Sequence, residues 1–177
     1  MKKLLYILLF IVINYTVDAQ KLESASFIRT FTKAEITLLA GGFPIGNDVD
    51  VYKVRYFTPD TEGVDHVASG LLAIPQNDAL AFPLACFQHG TVGSRDEVPS
   101  NLDGGYTLGV IFAGLGYVVV QPDFVGLGDS PGIHPYVHAD TEASAGVDFL
   151  RATRELSEDE DFPNFYLNDQ LFIGGYS

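Results

Sequence analysis

The sequence predicts an α/β protein built on a mixed, mostly parallel sheet. A run of alternating hydrophobicity over 49–57 and a second strand-like run over 67–74 flank a short polar loop, as antiparallel neighbours do. Three apolar runs follow at 83–87, 117–120 and 171–173, and they lack the polar alternation of a strand with one wet face. Helical periodicity separates the second of these from both its neighbours, and parallel strands need such crossovers and helices on both faces.

Each element has a local reason. Residues 31–40 predict a short helix ended by Gly41 and Gly42. In the run 49–57, Val49, Val51, Lys53, Arg55 and Phe57 fall on one side, and Tyr52, Val54 and Tyr56 on the other. Thr58, Pro59 and Asp60 end it, and Pro75 stops the second strand. The run 83–87 leads straight into Gln88, His89, Gly90 and Thr91. Residues 106–113 form a helix closed by Gly114 and Gly116, and the β-branched run 117–120 follows. The clearest helix spans 141–156, with Ala143, Val147 and Leu150 on a face flanked by Ala145, Phe149, Ala152 and Leu156. Asp140 or Thr141 caps its start. The apolar run 171–173 predicts a fifth, buried strand entering Gly174, Gly175, Tyr176 and Ser177.

The first residues read as an export signal. Lys2 and Lys3 precede an unbroken apolar stretch over 4–13, and Val17-Asp18-Ala19 resembles a cleavage site. That stretch would extend about 15 Å as a helix, half the roughly 30 Å of a hydrocarbon core. The expectation is cleavage after Ala19 and a periplasmic or extracellular protein without a stable membrane anchor. The chain thus divides into a signal peptide (1–19), an N-terminal segment (20–48) that adds little, and a domain (49–177). A hydrophobic content of 47% excludes a disordered chain. The formal charge of -13 disfavours nucleic acid as a partner. Glu155, Glu158, Asp159, Glu160 and Asp161 predict a solvated loop rather than a metal site. Cys86, the lone cysteine, reads as a small buried hydrophobe, and no ligand spacing for zinc or iron–sulfur occurs. No cofactor is expected.

Three patterns carry chemistry, each placed after an apolar run. Gly175-Tyr176-Ser177 matches the first three positions of a Gly-x-Ser-x-Gly nucleophile elbow, in which small neighbours let a strained turn present a serine hydroxyl. His89-Gly90-Thr91 is a glycine turn whose backbone can approach a substrate closely. The Thr91 N–H is the candidate oxyanion donor, with His89 and Gly90 supporting the loop. The third pattern runs from Pro122 through Asp123, Gly126 and Gly128 to Ser130. Pro131 stands where a dinucleotide loop would need its third glycine, so this reads as a tight structural loop with Asp123 bonded to nearby backbone N–H groups. His134 and His138 either line the substrate mouth or lie exposed, and His66 has no evident role. Phe124 and Tyr136 fit an acyl pocket no better than ordinary packing.

Together, His89-Gly90-Thr91, the Pro122–Gly128 string and 170–177 resemble the α/β-hydrolase superfamily, in particular secretory lipases and related bacterial esterases. The resemblance implies an α/β-hydrolase fold cut after its fifth strand. It also implies a small-molecule or lipid ester substrate cleaved through an acyl-enzyme on Ser177, with an acid and a histidine following the nucleophile in the chain. All four histidines precede Ser177, so the expectation is an inactive fragment of a secreted serine esterase. A prolyl-oligopeptidase-type peptidase and a non-catalytic binding protein on the same scaffold are the competing readings. The short span ahead of the first strand leaves too little chain for even one propeller blade of roughly forty residues.

Overall fold

The computed structural model describes residues 20–77 and 79–177. The expected export signal over 1–19 lies outside the described residues. Six strands and three α-helices occur in the order β1 (Leu22–Phe31), α1 (Lys33–Leu39), β2 (Val49–Pro59), β3 (Asp65–Pro75), β4 (Ala81–Gln88), α2 (Tyr106–Gly114), β5 (Val118–Pro122), α3 (Ala139–Glu158), β6 (Tyr166–Gly175). One sheet runs β1-β2-β3-β5-β4-β6. The pairs β1/β2, β2/β3 and β3/β5 are antiparallel, and β5/β4 and β4/β6 are parallel. This is the mixed α/β sheet that the hydrophobic patterning predicts, but it has six strands rather than five. Antiparallel pairs outnumber parallel ones three to two, rather than the sheet being mostly parallel, because β1 adds an antiparallel pair and β3 joins the parallel part antiparallel to β5. No helix among the described residues is long and apolar enough to cross a membrane.

The alternation along β2 sorts its side chains between two cores. Tyr52, Val54 and Tyr56 pack with Phe149, Leu150 and Leu156 of α3 on one face. Val49 and Val51 pack with Ile36 of α1 and with Val110 and Ala113 of α2 on the other. The rings of Tyr56 and Phe149 stack at 4.7 Å. A side chain at Gly70 would collide with the Phe149 ring, so that position on β3 has room only for glycine.

Several expectations need correction. The segment 20–48 contributes a whole strand, β1, which pairs along β2 with two register shifts. Its alternation is weak because it is a half-exposed edge strand. The α1 helix starts later than predicted because Phe31 closes β1. Thr32 then makes a capping box with Glu35, its N–H donating to Glu35 Oε2 at 2.8 Å while its side chain accepts from the Glu35 N–H. In α3 the buried side is carried by Ala145, Phe149, Ala152 and Leu156, whereas Ala143 and Val147 are exposed. Its cap is His138, whose side chain accepts from the Thr141 N–H. Glu155 lies outside any solvated acidic loop: it accepts the N–H groups of Lys21 and Leu22 at 2.8 and 2.9 Å and clamps the start of β1 to α3.

The largest departure concerns β6. Its apolar composition predicts a buried strand, yet Leu171, Phe172 and Ile173 are 47%, 48% and 69% exposed. The strand pairs with β4 along one edge. Its other edge has no strand partner among the described residues.

Candidate active site

The sheet register brings the sequence motifs together. Gln88 at the end of β4 pairs with Gly175 at the end of β6, so His89-Gly90 and Tyr176-Ser177 leave adjacent parallel strands side by side. The Asp123 loop leaves β5, the other parallel neighbour of β4. All three motifs therefore sit at the carboxyl ends of parallel strands, where open α/β sheets place their ligands.

Contacts between the two turns are close. A Cβ on Gly175 would lie 2.9 Å from the Gln88 carbonyl oxygen. A Cβ on Gly90 would lie 2.8 Å from Tyr176 Cε2 and 3.2 Å from Ser177 Cβ. Neither position admits a larger residue without moving the elbow. Ser177 itself has φ 61°, a left-handed conformation that a non-glycine residue adopts at a cost.

Ser177, Thr91, His89, Phe124, His134 and Tyr136 are among the residues lining one cavity of about 530 Å³. Four non-glycine residues have positive φ among the described residues: Leu102, Phe124, Val137 and Ser177. Three of them, Phe124, Val137 and Ser177, line this cavity. Strain gathered around one cleft marks a functional site more strongly than any single motif.

His89 is buried, and its Nδ1–H donates to the Gly90 carbonyl at 2.7 Å. This bond stiffens the turn that presents Thr91. The ring lies 4.8 Å from that of Phe124, and Nε2 is buried without a hydrogen-bond partner among the described residues. Thr91 Oγ1 and Tyr136 Oη are 2.9 Å apart.

Asp123 is fully buried beneath the site. It accepts from Ser69 Oγ at 2.6 Å and from the Ser100 N–H at 3.0 Å. Ser69 Oγ in turn accepts the Asp129 N–H at 3.0 Å. Burial pushes the Asp123 carboxyl above the usual carboxylate range, and the bonds from Ser100 and Ser69 only partly oppose that. A Cβ at Gly128, φ 54°, would sit 2.5 Å from both Asp123 Oδ2 and Ser69 Oγ. The Gly126 N–H donates to Ser130 Oγ at 2.9 Å, and a Cβ on Gly126 would collide with the His134 backbone. Of the two bonds Asp123 accepts, one comes from a backbone N–H, at Ser100, and one from a hydroxyl, at Ser69.

The remaining histidines have local partners. His134 lines the cavity and its Nδ1–H donates to the Val125 carbonyl at 2.8 Å. His138 caps α3, and His66 Nε2 lies 3.0 Å from Ser130 Oγ. Sequence reasoning missed the lining role of Arg95 and Glu142, two charged residues with no motif around them. It also missed the Tyr136 contact, which joins residues forty-five positions apart.

A mixed sheet with helices on both faces, and a strained serine after a parallel strand, defines a partial α/β-hydrolase fold. The chain is related to hydrolases and esterases of that fold. A Legionella pneumophila protein classed as a hydrolase aligns over 89% of this chain and 44% of its own length, at 30% identity and TM-score 0.78. The rice cell wall degrading esterase LipA from Xanthomonas oryzae aligns over 88% of this chain and 41% of its own, at 32% identity and TM-score 0.75. Candida antarctica lipase A shares the fold at 16% identity and TM-score 0.57, over 89% of this chain and 35% of its own. This chain therefore spans about two-fifths of the first two structures' length. No protein-family model and no curated protein matches the sequence.

Proposed function

We propose that the protein is an exported serine hydrolase of carboxylic esters, and that this chain carries its nucleophile and half of its oxyanion site. The observation behind the proposal is the position of Ser177: a positive-φ serine directly after β6, packed against Gly90 and sharing a cavity with Thr91. The relatedness to the Xanthomonas oryzae esterase supports the substrate class.

In this reaction Ser177 Oγ attacks the ester carbonyl carbon and its proton passes to a histidine base. The carbonyl oxygen becomes an oxyanion that accepts the Thr91 N–H. Collapse of the tetrahedral intermediate breaks the carbon–oxygen bond and releases the alcohol, which takes the proton from the base. Water then cleaves the acyl-enzyme by the same route in reverse. None of the four histidines described here is hydrogen-bonded to Ser177. We therefore assign the base to none of them, in keeping with related structures of which this chain spans about two-fifths. The chain alone is then inactive.

The test is hydrolysis of a short-chain nitrophenyl ester by the full-length protein and by residues 20–177. Ser177→Ala should lower turnover of the full-length protein by about a million-fold. Unchanged turnover in that variant would remove the serine mechanism, and Ser177-dependent turnover by residues 20–177 would refute the inactivity of the chain alone.

A further inference from the structure

The loop over 131–138 belongs to no motif and contributes no reacting group, yet the described contacts bind it once to the oxyanion turn, at Thr91, and once to the segment that follows it, at Arg95. Near its start, the Arg95 guanidinium donates to the carbonyls of Ser130 and Gly132. Arg95 lies four residues beyond Thr91, and its own carbonyl accepts the Gly128 N–H at 3.0 Å. Further along, Tyr136 Oη meets Thr91 Oγ1 at 2.9 Å. Between these ties, His134 is anchored on the Val125 carbonyl at 2.8 Å and its ring meets that of Tyr136 edge-on at 6.2 Å.

Backbone strain accompanies this arrangement. Val137, a β-branched residue with φ 61°, directly follows Tyr136. Left-handed conformations are rare for such side chains and persist only where the surroundings enforce them. Tyr136 is 64% exposed, so burial does not account for its position. The contact to Thr91 does.

We infer that Tyr136 is a positioning residue: through the Thr91 hydroxyl it holds the backbone of the oxyanion turn, and so the Thr91 N–H, in place for the developing negative charge. This rests on the ester-hydrolase reading of the same site. An oxyanion donor must be set before the reaction to contribute fully, and small displacements of positioned groups have large effects on rate. Among the side-chain hydrogen bonds of the described residues, the Thr91 hydroxyl meets Tyr136. The 131–138 loop thus supplies support from across the cavity.

Two measurements on the full-length protein test the inference. In the first, Tyr136→Phe and Thr91→Val should each lower kcat on a nitrophenyl ester roughly tenfold with KM little changed. The Tyr136→Phe/Thr91→Val double variant should be no slower than either single one, and Thr91→Ser, which keeps a hydroxyl, should recover most of the kcat that Thr91→Val loses. Single variants within twofold of wild type, or effects that multiply in the double variant, would overturn it. In the second, amide hydrogen exchange over 89–95 should quicken in Tyr136→Phe while exchange in β5 stays unchanged. Unaltered exchange over 89–95 would also overturn it, whether or not the protein hydrolyses esters. A wild-type protein with no Ser177-dependent turnover would instead overturn the function proposed above, and the catalytic purpose of the tie with it.

Discussion

At the scale of single residues, the site depends on positions chosen for what they lack. Gly90 has no unusual backbone angle, but a methyl group there would press on Tyr176 and Ser177 at 2.8 and 3.2 Å. Gly90→Ala should displace the elbow and lower kcat/KM of the full-length protein by about 10- to 100-fold. Its urea midpoint should barely move, because the contact involves a turn and not the core. A variant with wild-type kinetics would show that the two turns do not depend on one another.

Asp123 leads to a pH prediction. Its pKa is raised in the folded state by burial. A raised pKa means that the folded form holds this proton more tightly than the unfolded chain does. The group's contribution is therefore complete below the unfolded value of about 3.9 and is lost as pH rises through the folded value. Asp123→Asn removes that titration. Urea unfolding between pH 4 and 7 should show the wild type losing stability relative to the variant as pH rises. A difference that is constant with pH would mean the carboxyl is not perturbed by folding.

At the scale of elements, β1 shows how a weakly patterned strand is recruited. Its own residues bury little, and it is fixed by pairing with β2 and by Glu155 at the end of α3. Glu155→Gln replaces one acceptor oxygen with a donor that faces the N–H of Lys21 or Leu22. The expected loss is about 1–2 kcal/mol in urea unfolding, with faster amide exchange in β1 than in β3. Equal exchange in both strands would place the anchoring of β1 elsewhere. The first turn of α1 shows a local rule in force: the Thr32-x-x-Glu35 spacing marks the helix start without reference to the rest of the chain.

At the scale of the molecule, the sheet is asymmetric. Both end strands, β1 and β6, have an outer edge without a strand partner among the described residues, but β6 is the one whose run of large apolar side chains is exposed. Exposed apolar strands of this kind pair with other chains. Residues 20–177 should self-associate in a concentration-dependent manner, and more strongly at high salt, since the strong acidic excess of the chain (-13 over the full sequence) opposes contact between copies until it is screened. Ile173→Lys, at a side chain 69% exposed, should weaken the association without unfolding the chain. Sedimentation velocity showing a monomer at all concentrations would exclude β6 as an adhesive edge.

Most elements follow from local pattern. Alternation in β2, uninterrupted apolar runs in β4 and β5, and glycine punctuation around α2 each place an element without knowledge of its neighbours, because side-chain period reports which faces lose water. The turns at Gly175-Tyr176-Ser177 and His89-Gly90-Thr91 were legible as turns for a related reason: each carries a glycine close to the end of an apolar strand. The sequence could not state that Gln88 and Gly175 lie in register, that Phe124, Val137 and Ser177 share one cavity, or that Tyr136 reaches Thr91. Nor could it place β1. Those facts arise from pairing and packing between distant segments, whose outcome depends on which surfaces remain to be covered once the local elements have formed.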